Sequence, residues 1–206
     1  MKFLLLLLLA AALLSSGFPP ADLELSKGKF LIATNKLSDP RFQQTVVLLI
    51  HYARQGSMGL IVNHPTDAPV SEAIEDVPSL DKLHDPVFIG GPVDLSLISF
   101  LLLSHDPPEG ALRIFDHLYY SNSKDVLEEQ IDSLGSGKRM RVYAGYAGWG
   151  SGQLETEIMT GHWFVWHADS EIVFAPSPKK VWQEMIRRSS VLQAYYPIKE
   201  HTGRPL

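Results

Sequence analysis

Beyond residue 20 the apolar positions fall into short runs separated by turn residues. Residues 29–34 (KFLIAT) form a brief β-like run. Residues 44–52 (QTVVLLIHY) are rich in β-branched side chains and apolar on both faces, as in a strand covered on both sides. Residues 57–63 (SMGLIVN) follow directly after Arg54-Gln55-Gly56, so the two runs predict an antiparallel hairpin. Strands are also expected over 86–89, 112–120 and 139–146. The run LSLISFLLL at 95–103 reads as a buried core strand or helix, too short to span a bilayer. Residues 162–167 (HWFVWH) and 171–175 (EIVFA) read as two strands turning at Asp169-Ser170. Short helices are expected over 70–77 and 154–159. A longer one over 124–134 has Asn122 or Ser123 as N-cap and Gly135 as its stop. A last helix opens at Ser177-Pro178 and runs to about Arg188, with Val181, Trp182, Met185 and Ile186 on its inner face. Many short strands with few helices and no repeat or linker predict one α+β domain over residues 21–206.

The first twenty residues, MKFLLLLLLAAALLSSGFPP, have a different pattern. Lys2 precedes an unbroken apolar run, which small polar residues and then Pro19-Pro20 close. This is the layout of a secretory signal peptide, and the run is too short for a membrane-spanning helix. The expectation is export to the periplasm or outside the cell, with cleavage between Ser16 and Ala21 and no membrane span in the mature chain. Without a functional leader the protein would be cytoplasmic.

Composition narrows the chemistry. The 206 residues are 45% hydrophobic and 20% charged, a globular balance. Net charge is −5, and loss of the leader with its one Lys makes it −6. Such a chain has no bulk attraction to nucleic acid, and direct nucleic-acid binding is not expected. The clusters Lys138-Arg139-x-Arg141 and Arg187-Arg188 read as solvated faces. The absence of cysteine excludes disulfides, thiolate metal sites and a Cys nucleophile.

Three segments carry a resemblance: residues 28–65 (GKFLIATNKLSDPRFQQTVVLLIHYARQGSMGLIVNHP), 87–93 (VFIGGPV) and 145–157 (GYAGWGSGQLETE) with His162-Trp163-Phe164-Val165 after them. In this order they resemble the YqgE/AlgH family, also called UPF0301, over roughly residues 28–186. The resemblance implies a bifurcated, partly barrel-like mixed β-sheet flanked by helices. It implies no established reaction, cofactor or catalytic residue, and only a proposed regulatory role in alginate synthesis. Two departures stand out. The leader precedes the usual starting point of the family, whose members are cytoplasmic, and His64 stands where the family carries Arg or Lys before Pro65.

No complete catalytic constellation is present. Gly145, Gly148, Gly150 and Gly152 are spaced neither as G-x-G-x-x-G nor as a P-loop, and Glu155 and Glu157 in the following helical turn would repel phosphate. These glycines read as a tight structural loop packed against Trp149. Ser151 lacks the flanking glycines of a nucleophile elbow, and adjacent Ser104-His105-Asp106 cannot form a relay. On a helix Glu155 and Glu157 point about 200° apart, so they do not pair. His162 and His167 fall on opposite faces of a strand, and no histidine pair has a metal-binding spacing. No metal or cofactor is expected.

The expectation is therefore a non-catalytic binding or regulatory protein with a protein or small-molecule partner. Its candidate surface is the glycine loop at Gly148 and Trp149 with Asn63, Gln153 and Glu155, where polar groups adjoin exposed backbone. The alternative is a hydrolase whose carboxylates and histidines are gathered by the fold.

Overall fold

The computed structural model describes residues 25–195, apart from residues 78, 135 and 136. The leader and the expected Gly135 helix stop lie outside the described residues.

The hairpin expected from the sequence forms. β2 (Val46–Ala53) and β3 (Gly56–Ile61) pair antiparallel around a two-residue turn at Arg54-Gln55, and Ala53 faces Gly56. β1 (Lys29–Ala33) joins the other edge of β2, and β9 (Trp163–His167) pairs with β1. β5 (Val93–Leu103), β6 (Leu112–Phe115), β7 (Leu118–Ser121) and β8 (Arg139–Gly150) complete the main path, whose order is β6-β7-β5-β8-β3-β2-β1-β9. β4 (Phe88–Ile89) adds a parallel pairing beside Tyr143 and Ala144 of β8. The sheet is thus mixed, curled into a half-barrel, and divided where β8 passes from β5 and β4 to β3.

Three apolar layers hold it. Inside the curl, Phe30, Ile32, Leu48, Leu60 and Tyr143 pack against Val181 and Met185 of α5 (Pro178–Tyr195). Burial of each of those two helix side chains contributes about 2 kcal/mol. Outside β1–β3 and β9, Leu31, Val47, Ile61 and Trp163 are covered by Leu154 of α3 (Gln153–Met159). Outside β5 and β8, Leu102 and Val142 meet Val126, Leu127 and Ile131 of α2 (Lys124–Ile131). Coverage on both faces explains why β2 lacks polar alternation: Val46 to Ile50 are all at most 2% exposed. Ser123 caps α2, its hydroxyl accepting from the Val126 N–H. On α5, Trp182 and Ile186 pack beside Val181 and Met185 as the sequence predicts, and the indole of Trp182 donates to Ala33 O at 2.8 Å.

Several expectations are corrected. Residues 171–175 form no strand. Asp169 accepts from the Glu171 N–H and starts a helical turn, α4 (Ser170–Val173), which covers the inner layer. α5 continues to Tyr195, past the expected end near Arg188. The helix expected over 70–77 is the single turn α1 (Val70–Ala73). β5 is buried only from Ser99 onward; Leu95 is 56% exposed because residues 94–97 leave the ladder between the Val93–Tyr146 and Ile98–Ala144 pairs. Arg141 is not solvated: it is buried, as described below. Residues 145–150 are not a loop but the second half of β8.

One of their glycines sets the course of the strand. Gly145 takes a left-handed φ of +70°, which re-aims β8 from one apolar layer to another. The chain leaving β4 then crosses directly over that kink. A Cβ on Gly91 would lie 2.1 Å from Tyr146 C, and one on Gly90 would lie 2.3 Å from Gly145 O. At Gly90, Gly91 and Gly145 the crossing leaves no room for a Cβ.

Candidate functional site

The crossing sets the second half of β8 beside the start of α3 and the turn at Pro40–Phe42. There Trp149 is buried at 6% exposure, with its ring 6.0 Å from Trp163 and 6.3 Å from Phe42, centroid to centroid. Phe42 and Trp163 meet edge to face at 5.9 Å. One carboxylate holds this cluster. Glu157 Oε2 accepts from Trp149 Nε1 at 3.0 Å and from Trp163 Nε1 at 2.7 Å, while Oε1 accepts from Gln153 Nε2 at 2.9 Å. Gln153 in turn accepts the N–H of Gly150 at 3.1 Å. The first turn of α3 is thereby fixed to the end of β8.

Against this wall lies a cleft of about 170 Å³ lined by Leu37, Phe42, Val93, Gly148, Trp149 and Gln153, with Glu157 at its edge. Asp39 and Arg41 close its rim as a bidentate pair, and that guanidinium holds the Asp39 carboxyl below the usual range. A second, wider groove of about 480 Å³ runs past His51, Ser57, Met58 and Tyr146. Val93, Gly148 and Trp149 border both hollows.

The residues selected from sequence separate into three groups. Gly148, Trp149 and Gln153 line the cleft. Glu155 points to another side of α3, where its carboxylate accepts from Tyr52 Oη at 2.7 Å. Asn63 is 3% exposed, and its amide is already used: Oδ1 accepts from Val46 N and Nδ2 donates to Gln44 O. The expectation that Asn63 and Glu155 offer unpaired polar atoms is corrected; both serve local structure. Glu155 and Glu157 diverge as helix geometry requires. From the sequence, Glu157 is only a charge in the helical turn after the glycines, divergent from Glu155. Its spacing from Trp163 on a following strand was the available signal, but no rule of spacing joins a helix carboxylate to two indoles.

Arg141 was also missed. It is 3% exposed on β8, stacks over Phe88 at 4.6 Å, and donates to Asp85 Oδ2, Val173 O and Ala175 O. It ties α4 to the sheet. Arg187 and Arg188, by contrast, are exposed and pair with Glu184. Among the described histidines, His162 lies near Thr160, His167 lies beside Lys29, and the rings of His105 and His117 meet at a tilt, 4.5 Å between centroids. Among the described residues no three His, Asp or Glu side chains are placed to hold a metal ion, and no helix is long and apolar enough to cross a membrane.

The three segments that build this region match a known protein family. Residues 30–193 fit the family described as AlgH-like (DUF179). The chain belongs to the AlgH-like family. A UPF0301 protein of Streptomyces avermitilis is 37% identical over 181 residues, covering 82% of this chain and 91% of that protein. A UPF0301 protein of Chlorobium limicola is 34% identical over 165 residues, covering 80% and 87%. Among solved structures, AlgH from Pseudomonas aeruginosa superimposes with a TM-score of 0.67 at 30% identity, covering 86% of this chain and 99% of AlgH. A Corynebacterium diphtheriae protein gives 0.70 at 28% identity, covering 80% and 87%. The half-barrel sheet with its flanking helices is the AlgH-like fold.

Proposed function

We propose that this AlgH-like protein is a non-catalytic binding or regulatory protein whose partner engages the surface around Gly148 and Trp149. One observation carries the reading. Both oxygens of Glu157 are spent on holding Trp149, Trp163 and Gln153, so the carboxylate beside the cleft serves to stiffen an aromatic wall. A rigid apolar wall with a polar rim is suited to recognition, because its side chains lose little freedom on binding. Asp39, the other carboxylate of the cleft, is held by Arg41. Gln153 lines the cleft directly, while Glu155 supports it by anchoring α3 to β2 through Tyr52. Asn63 supports it only by fixing the start of β2.

The test is a triple variant, Trp149→Ala, Gln153→Ala and Glu155→Ala, placed in the organism that carries the protein. Native circular dichroism with loss of function supports the assignment. Native folding with full function overturns it. The apolar leader at residues 1–20 makes export part of the same proposal, with the partner outside the cytoplasm.

A further inference from the structure

At the end of the sheet away from Trp149, the fold brings together two histidines that no spacing rule joins. His105 follows β5 and His117 precedes β7, and their ring centroids lie 4.5 Å apart at an interplanar angle of 56°. Both residues are exposed. Backbone, not the rings, sets their positions. The β5–β7 ladder reaches Leu103 opposite Leu118, and just beyond it Ser104 N donates to His117 O at 3.0 Å. The Ser104 hydroxyl donates to Asp106 O at 2.7 Å, which turns the chain around His105. Asp116 and His117 are the two-residue link between β6 and β7, where Phe115 faces Leu118. Arg113 fixes that link by donating from Nε to Asp116 O at 2.7 Å. Among the described residues, no hydrogen bond uses a ring nitrogen of either histidine.

Exposed neutral imidazoles in such a pair are ligands for a transition-metal ion, and their separation selects among ions. A first-row ion binds an imidazole nitrogen at about 2.0 Å, which puts the ring centre about 3.2 Å from it. Two rings at a right angle about one ion are then about 4.5 Å apart, and at the tetrahedral angle about 5.2 Å apart. The observed spacing matches the right angle of tetragonal coordination, the geometry of copper(II) and nickel(II). Of these two, copper(II) binds more tightly to given nitrogen ligands. Local charge is balanced: Asp106 and Asp116 adjoin the pair in the chain, while Arg113 is bonded to the same link and Lys27 to the Arg113 carbonyl. The affinity must therefore come from the two nitrogens. We propose that His105 and His117 chelate one copper(II) ion, with water at the remaining equatorial positions. The site is separate from the surface at Trp149 and does not depend on it.

The experiment titrates the purified chain with copper(II) chloride, read by calorimetry and electron paramagnetic resonance. The expected result is one tight equivalent per chain, with an axial spectrum split by two nitrogens. His105→Asn and His117→Asn should each weaken that equivalent about tenfold or more and leave a one-nitrogen spectrum. His167→Asn, at an exposed position on β9, should leave it unchanged. In the unaltered chain, substoichiometric copper(II) should broaden the ring-proton resonances of His105 and His117 first, which locates the ion without any substitution. The chain has 8 histidines, so adventitious uptake elsewhere is the competing outcome. No tight equivalent, an equivalent that survives both substitutions, or broadening that begins at other histidines overturns the site.

Discussion

Trp149 donates its indole N–H to Glu157 at 3.0 Å, and the same carboxylate oxygen accepts from Trp163. One acidic side chain of α3 therefore joins β8 to β9, strands that do not pair with each other. Glu157→Gln keeps the length but has one acceptor oxygen, and its amide nitrogen would face a donor. The expected cost is about 1–3 kcal/mol, read as a lower urea midpoint with altered tryptophan fluorescence. An unchanged midpoint would show that the two indoles find water instead.

Arg141 and Asp85 separate two effects that a distance of 2.6 Å alone would merge. Asp85 is 45% exposed, so the ion pair is screened on that side and Asp85→Asn should cost under about 1 kcal/mol. Arg141 is buried and satisfies the carbonyls of Val173 and Ala175. Arg141→Ala should cost about 3–5 kcal/mol, since it strands one buried and one half-buried acceptor and removes packing on Phe88. Denaturant titration of both variants checks the ratio.

Glycines of two of the family segments should differ sharply. Gly91→Ala places a methyl group inside the backbone of Tyr146 and should abolish native folding. Gly152 has a φ of +72° but open space around it, so Gly152→Ala should cost only about 1 kcal/mol of backbone strain. Thermal melts of the two variants distinguish steric crossing from simple turn preference.

These contrasts show how much of the molecule was legible in the sequence. The β2–β3 hairpin, the Ser123 cap and the inner face of α5 follow from local patterns, and the structure has them. Residues 145–150 were misread because glycine density normally marks a loop. Here Gly145 marks where the chain leaving β4 crosses β8, and the partner glycines, Gly90 and Gly91, lie more than fifty positions away in the chain. EIVFA was misread because a short apolar run carries no periodicity, and the Asp169 cap outweighed its β-branched residues. Arg141 read as surface charge because its partners are distant in sequence, whereas Glu157 lies within eight positions of its partners but no spacing rule joins a helix carboxylate to two indoles. Of the candidate surface, Gly148, Trp149 and Gln153 were placed together by adjacency alone, whereas Asn63 belongs to the β2 entrance.

His64 makes stability depend on pH. Burial pushes its pKa below the ordinary 6.5. The unfolded chain then takes up a proton near pH 6.5 while the folded chain resists, so this contribution is complete above 6.5 and lost as pH falls through the depressed folded value. His64→Gln should remove that part of the pH dependence. Urea midpoints at pH 7.5 and pH 5 for both proteins check it, and identical losses would exclude His64 as the source.

The leader yields an independent prediction. Protein recovered from the periplasm or medium should begin within residues 17–22 rather than at Met1, as read by N-terminal sequencing. Intact Met1 in the cytosol would overturn export.

The central claim, a recognition surface at Gly148 and Trp149, is tested most directly by photo-crosslinking in the native cell. A photoreactive residue is placed at Val93, which is exposed and borders both hollows, or at Leu112, exposed on β6 at the end of the sheet path. The account predicts a specific adduct from position 93 and none from position 112. An adduct from position 112 alone, or none from position 93, would contradict it.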